Sequence, residues 1–193
     1  MFSKSSCTIL VVDNLSPFTK DILNCLNLLK VKHLCKKFYE LQGLTQNEEG
    51  QYDKVILSGR QVNCKMSNAV NSSLLKKCIN NNIPTLGICF GGQIIALTFG
   101  GSIKRMDHPI RQIVPIDILK TSPIVPCERS IDVFESHGYN IAKLPKDFVC
   151  IGSSILCQNE IIAHRSKMIF GVQFHPERSG RDGLRLIKNF VEM

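Results

Sequence analysis

Short apolar runs at residues 7–12, 54–57 and 83–88, separated by segments with helical spacing, constrain this chain more than any other feature. Each run ends at a polar or glycine stop, such as Asp13-Asn14 or Ser58-Gly59, and reads as a short buried strand. Between the first two, Phe18, Ile22, Cys25, Leu26 and Leu29 recur at helical spacing and predict a helix over 17–29. Further helices are predicted over 69–80, fraying at Asn80-Asn81-Asn82, and over 92–99. Residues 32–38 form a weaker strand candidate, and 42–52 a polar loop. This alternation predicts a parallel sheet with helices on both faces. The second half differs. Runs at 103–119, 131–134, 149–153, 160–164 and 168–174, divided by Pro, Gly and Asn, predict an antiparallel extension or a mixed sheet, closed by an amphipathic helix over 183–191. The expected class is therefore α/β, three-layer, with a mostly parallel central sheet and a smaller antiparallel extension. No repeat, low-complexity tract or linker divides the chain, so residues 1–193 are expected to form a single domain.

Composition narrows the function. Hydrophobic residues make up 44% and charged residues 21%, which excludes wholesale disorder. The longest apolar stretches, such as 9–12 and 94–97, fall far short of the roughly 20 residues that span a bilayer, so no membrane partner is expected. The opening MFSKSSCTILVVDN lacks the layout of a signal peptide, which makes a cytoplasmic location the default. Nine cysteines are scattered, odd in number and free of any C-x-x-C pair. Eight of them read as small core hydrophobes or incidental thiols of a reducing compartment, and no metal site or cofactor is expected. The net charge of +8 is spread along the chain, densest at Lys30, Lys32, His33, Lys36 and Lys37. That pattern suits a solvated face or an acidic protein partner better than nucleic acid.

Cys89 is the exceptional cysteine. It sits in GICFGGQ at 87–93, between a predicted strand and a predicted helix, as G-x-C-x-G. A side chain presented on so sharp a turn needs a strained backbone, and neighbours without Cβ atoms let the turn close. The turn also places Cys89 at a helix N-terminus, where the dipole and free N–H groups favour thiolate. The N–H of Phe90 would then face the oxyanion formed when the thiolate attacks an amide carbonyl. A thiol nucleophile needs a base. In GVQFHPE at 171–177 an apolar strand runs into His175, and Pro176 stops it. Glu177 is placed to reach back and orient the imidazole, giving a Cys89–His175–Glu177 triad.

These residues resemble the class I (triad) glutamine amidotransferases. GICFGGQ is similar to the family's nucleophile motif and GVQFHPE to its histidine motif, in the family's order and separation. The first strand, the loop at 56–59 and a turn at Glu135-Ser136-His137-Gly138 have counterparts as well. The resemblance implies a flavodoxin-like sheet and a glutaminase that forms a γ-glutamyl thioester on Cys89 and releases ammonia. It implies that His175 is the general acid/base and Glu177 its orienter. Gln93, Ser136, Gly138 and Tyr139 match glutamine-binding positions, the last three acting largely through backbone. Phe90 and Arg60 match the two backbone donors of the oxyanion hole.

Two departures matter. Arg60 stands where the family has glycine; if that glycine serves a positive φ, arginine distorts the hole or makes it form only on docking of a partner. Gly92 replaces a bulkier residue and is expected to loosen the first turn of the helix. Within the family, the runs 134–138, 144–148 and 99–101 are most similar to the glutaminase subunits of GMP synthases. The glutaminases of imidazole glycerol phosphate synthase and of anthranilate or aminodeoxychorismate synthase remain alternatives, as do a stand-alone γ-glutamyl hydrolase and a non-catalytic regulatory subunit. The chain has no Gly-rich phosphate loop and no room for an ATP-pyrophosphatase domain, so use of the ammonia requires a separate synthetase subunit of that type.

Overall fold

The computed structural model describes residues 7–43 and 52–193. Nine strands form one sheet: β1 Thr8–Asp13, β2 Lys32–Lys37, β3 Lys54–Leu57, β4 Thr85–Ile88, β5 Ser102–Ile118, β6 Ser130–Lys143, β7 Phe148–Ser153, β8 Ile161–His164 and β9 Ile169–Val172. Their order across the sheet is β2-β1-β3-β4-β9-β8-β7-β5-β6. The first five strands in that order run parallel and the remainder antiparallel; β9, from the second half of the chain and expected in the antiparallel extension, instead pairs parallel with β4 and completes the parallel half. Four α-helices lie among the described residues: α1 Thr19–Leu28, α2 Lys65–Asn80, α3 Phe90–Thr98 and α4 Gly180–Glu192. None is long and apolar enough to cross a membrane.

The parallel strands are apolar on both faces because both faces are covered. Ile9 and Val11 of β1, with Ile56, Leu86 and Ile88, pack with Ile22 and Leu26 of α1 and Leu186, Ile187 and Phe190 of α4. Their neighbours Leu10, Val12, Val55 and Leu57 point the other way, onto Leu74, Leu75, Ile94 and Ile95 of α2 and α3. Alternate side chains thus feed two separate cores, which is why these runs read as continuous apolar stretches. Lys54 is buried within β3, and its Nζ donates to the carbonyls of Phe190, Val191 and Met193 at 3.1, 2.7 and 2.7 Å. One cation therefore caps the end of α4 and ties it to the sheet.

Several boundaries differ from expectation. α2 begins four residues earlier than predicted, and α3 begins at Phe90, directly after Cys89. The Asn-rich end of α2 is not frayed: Asn82 adopts φ +56°, and Ile83 N–H donates to the Cys78 carbonyl at 2.9 Å, a left-handed cap. Residues 131–134 are only the start of a 14-residue strand, so the Glu135–Gly138 stretch is strand and not turn. It reads as a turn because the irregularity lies in its partner. Pairing jumps from Arg105↔Tyr139 to Ile110↔His137, a wide bulge in β5. Of the loop expected over 42–52, residues 44–51 lie outside the described residues. All nine cysteines are free.

Candidate active site

The carboxyl ends of β1, β3, β4 and β9 open into a cleft of about 680 Å³, walled on its far side by β6 and the β5 bulge. Open parallel sheets place ligands at this edge, where strands end and helix N-termini begin. Cys89 is the last residue before α3, with φ +52° and ψ −105°, a conformation that non-glycine residues rarely adopt. Its N–H donates to the Val172 carbonyl at 2.8 Å and its carbonyl accepts from Gln93 N–H at 3.0 Å, so both sides of the strained residue are pinned.

The glycines explain how the helix comes so close. A Cβ on Gly91 would lie 2.4 Å from the Leu57 carbonyl oxygen, and one on Gly87 would lie 2.3 Å from that of Gly91. A Cβ on Gly92 would sit 2.8 Å from the Val172 carbonyl oxygen. The expected loosening at Gly92 is therefore not found. The missing side chain lets α3 press against β9, and Gly92 is buried.

His175 follows β9 and is buried, with its N–H donating to the Phe134 carbonyl at 2.9 Å. Its Nδ1 lies 2.7 Å from Glu177 Oε1, across the 3-10 turn Pro176–Arg178. The Phe18 ring packs edge-on against the imidazole, with centroids 4.7 Å apart. Burial alone pushes the imidazolium to lower pKa, but hydrogen bonds and charge from Cys89 and Glu177 outweigh it and raise the group from 6.5 to about 10. Gly59 is part of the same contact: a Cβ there would meet His175 Cε1 at 2.9 Å and Cys89 Cβ at 3.6 Å.

Arg60 does not have the positive φ that a family glycine would permit. Its guanidinium lies over the Phe90 ring, 3.7 Å from the centroid, and donates to Ser67 Oγ and Asn68 Oδ1 at the start of α2. Beneath it a buried polar network holds the loop. Asn14 N–H donates to Ser58 Oγ at 2.9 Å, Asn14 Nδ2 to the Ser58 carbonyl at 3.1 Å, and Asn71 Nδ2 to Asn14 Oδ1 at 2.6 Å.

Cys89, Phe90, Arg60, Gln93, Ser136, Gly138, Tyr139 and His175 all line the cleft, and Glu177 stands behind His175. Gln93 is buried, and its Nε2 donates to the Tyr139 carbonyl at 2.9 Å, joining α3 to β6. Ser136 turns its carbonyl oxygen to within 4.0 Å of Cys89 Sγ. Sequence reasoning missed Ser16 and Phe18 at the rim, His137 in the wall, and the buried carboxyls Glu135 and Glu160 behind it. Burial pushes Glu135 up to about 7 and Glu160 up to about 8. The signal for Glu135 and His137 was available: as strand residues two apart they share a face with Val133, and that face is inward. Reading the segment as a turn hid it.

A strained cysteine before a helix, at the carboxyl edge of a parallel sheet, with a buried histidine–glutamate pair beside it, defines a cysteine-dependent amide-cleaving class. The family model for glutamine amidotransferase class-I matches residues 10–193. The chain belongs to the class I glutamine amidotransferase family. It is 30% identical over 190 residues to a glutamine-hydrolyzing GMP synthase subunit of Methanocaldococcus jannaschii, covering 96% of each chain. It is 35% identical over 146 residues to the like-named protein of Thermoplasma acidophilum, covering 72% of this chain and 70% of that one. A crystal structure of a T. acidophilum protein identified as a GMP synthase subunit superposes with a TM-score of 0.85 at 30% identity, covering 97% of this chain and 93% of that one. A Thermotoga maritima glutamine amidotransferase, 19% identical with a TM-score of 0.73 over 97% and 83%, shares the fold.

Proposed function

We propose that this chain is the glutamine-hydrolysing subunit of a two-subunit GMP synthase, releasing ammonia for a separate synthetase subunit of the ATP-pyrophosphatase type. The observation that carries the glutaminase reading is the cleft geometry, in which the strained Cys89 meets the hydrogen-bonded His175–Glu177 pair. Similarity to the M. jannaschii protein over 96% of both chains supports the particular synthase. One sheet of nine strands supports reading residues 1–193 as a single glutaminase domain, and nine free thiols suit the cytoplasm.

The side-chain carboxamide of glutamine enters the cleft, and the Cys89 thiolate attacks its carbonyl carbon. The N–H groups of Phe90 and Arg60 receive the oxyanion. His175 begins as imidazolium, because Cys89 and Glu177 hold it protonated, so its first task is that of an acid. It gives its proton to the departing nitrogen, which leaves as ammonia, and the γ-glutamyl thioester remains. His175, now neutral, takes a proton from water as that water attacks the thioester. Glutamate leaves and the thiolate–imidazolium pair is restored. Glu177 keeps the imidazole in place throughout. Gln93, Ser136, Gly138 and Tyr139 hold the amino acid end of the substrate, the last three largely through backbone groups.

The test uses the purified chain with glutamine carrying 15N in its amide, alone and with a candidate synthetase, ATP and xanthosine monophosphate. Appearance of 15N in GMP is the expected result. Label that reaches free ammonia but never GMP, with every active synthetase tried, rejects the GMP assignment and keeps the glutaminase. A glutamine-analogue electrophile should modify Cys89 and leave Cys89→Ser untouched; modification elsewhere, or none with or without partner, rejects the triad.

A further inference from the structure

Behind the β6 wall, Glu135, His137 and Glu160 bring their ligating atoms within 4.8 Å of one another, and all three are buried. Glu135 and His137 are two residues apart on β6 and share a face. Glu160 arrives from the residue just before β8, held by its own N–H on the Gly152 carbonyl at 3.0 Å and by Gln173 N–H on its carbonyl at 2.8 Å. The hydrolysis of glutamine uses none of these three side chains.

His137 Nδ1 lies 2.8 Å from the Tyr139 carbonyl oxygen, which can only accept. Nδ1 therefore carries the proton of the neutral ring, and Nε2 presents a lone pair. That lone pair faces Glu135 Oε2 at 2.8 Å, an acceptor against an acceptor. With both carboxyls ionised, Nε2 of His137, both oxygens of Glu135 and Oε2 of Glu160 meet no donor among the described residues, and the contact between Glu135 and Glu160 is a hydrogen bond only when one of them carries a proton. Nε2 and one oxygen of each carboxyl converge, and a positive charge between them would satisfy all three.

We propose that Glu135, His137 and Glu160 form a binding site for a divalent transition-metal ion of the zinc class. Two carboxylates and one dication leave the buried cluster neutral, and the imidazole favours zinc over magnesium or calcium. Two of the three ligands are already oriented from outside: His137 by its Nδ1–H on Tyr139, and Glu160 by Ser154, whose Oγ–H donates to Oε1 at 2.6 Å. His137 also lines the cleft, the side from which an ion and a water for the fourth position would enter. The Tyr139 carbonyl accepts from Gln93 as well as from His137, so an ion here fixes the segment of β6 that faces the substrate. The site does not depend on turnover, and its test is independent of the glutaminase reading.

The full chain, purified without chelator, should retain about one equivalent of zinc through gel filtration, at an affinity typical of built sites. Co2+ substituted for zinc should show visible bands of a nitrogen–oxygen ligand set without sulfur-to-cobalt charge transfer, which separates this site from the nine thiols. Glu160→Gln and His137→Asn, each checked for native circular dichroism, should weaken binding by about 10²-fold or more. Saturating zinc should also raise the melting temperature of the parent chain and leave Glu160→Gln unmoved. A parent chain that neither retains nor is stabilised by zinc overturns the proposal. So does a cobalt spectrum of thiolate type that Glu160→Gln leaves unchanged, whether or not His137→Asn folds. An infrared band of protonated carboxyl that persists at saturating zinc and disappears in Glu135→Gln would show that protons occupy the cluster instead, which equally overturns it.

Discussion

The two walls of the cleft are built on opposite principles. The nucleophile wall, β4 and α3, is made of backbone pressed on backbone, with Gly87, Gly91 and Gly92 removing the side chains that would intervene. The β6 wall is made of buried polar side chains, with Glu135, His137 and Gln93 gathered around a strand segment opposite a bulge. Backbone contact gives positional precision that one methyl group destroys. Polar side chains give a wall whose shape depends on which charges and ions occupy it. An enzyme that must hold a nucleophile rigidly and admit a substrate has reason to use both.

The largest expected effect tests the strained wall. Cys89→Gly should abolish glutamine hydrolysis, by about 10⁴-fold or more, while raising unfolding free energy by about 1 kcal/mol as the φ +52° strain is relieved. Glutamate release and urea titration read the two outcomes; a destabilised Cys89→Gly would mean that the elbow stores no strain. Next, Gly59→Ala should lower kcat by about 10²-fold, because its methyl displaces His175. Its melting temperature should change little, since the loop is anchored by Asn14 and Asn71. Activity near that of the parent would show that the imidazole yields, and that backbone closeness is not what positions it.

A smaller effect concerns pH. The folded pKa of His175 is raised from 6.5 to about 10, so its contribution to stability is fully present below pH 6.5 and is lost as pH rises through about 10. Glu177→Gln removes one of the two partners that raise it, so the loss should still begin near pH 6.5 but be complete at lower pH. Urea unfolding between pH 6 and 10, with the imidazole followed by NMR, checks the direction; an unshifted profile would leave Cys89 as the dominant partner. The smallest effect belongs to the polar wall. Tyr139 is exposed and enters the wall through its carbonyl, so Tyr139→Ala should change KM for glutamine by no more than about twofold. A large rise would show that its ring, and not its backbone, meets the substrate.

The nucleophile wall was legible in the sequence because all its determinants are local. GICFGGQ places strand, turn, cysteine and helix within seven residues, although the close approach that Gly92 permits emerged only in the fold. The His175–Glu177 pair is local too, spanning two residues across Pro176. The surroundings of Arg60 were hidden for the converse reason. Its side chain is held by Phe90, Ser67 and Asn68, and the loop before it by the Asn14–Ser58 bonds, which no reading of its neighbours at 59 and 61 could supply. Lys54, which caps a helix end 136 residues away, is of the same kind.

By itself, then, the sequence determined the order of strands and helices, the two buried faces of the parallel half, and the two motifs that carry Cys89, His175 and Glu177, because short-range periodicity and motif spacing carry that information. Tertiary structure decided the rest. It turned the 135–138 stretch from apparent turn into strand by setting a bulge in β5 against it, and it brought Glu160, just before β8, to Glu135 and His137 of β6. Pairing between distant strands obeys no local period, so the chemistry it assembles appears only when the sheet closes.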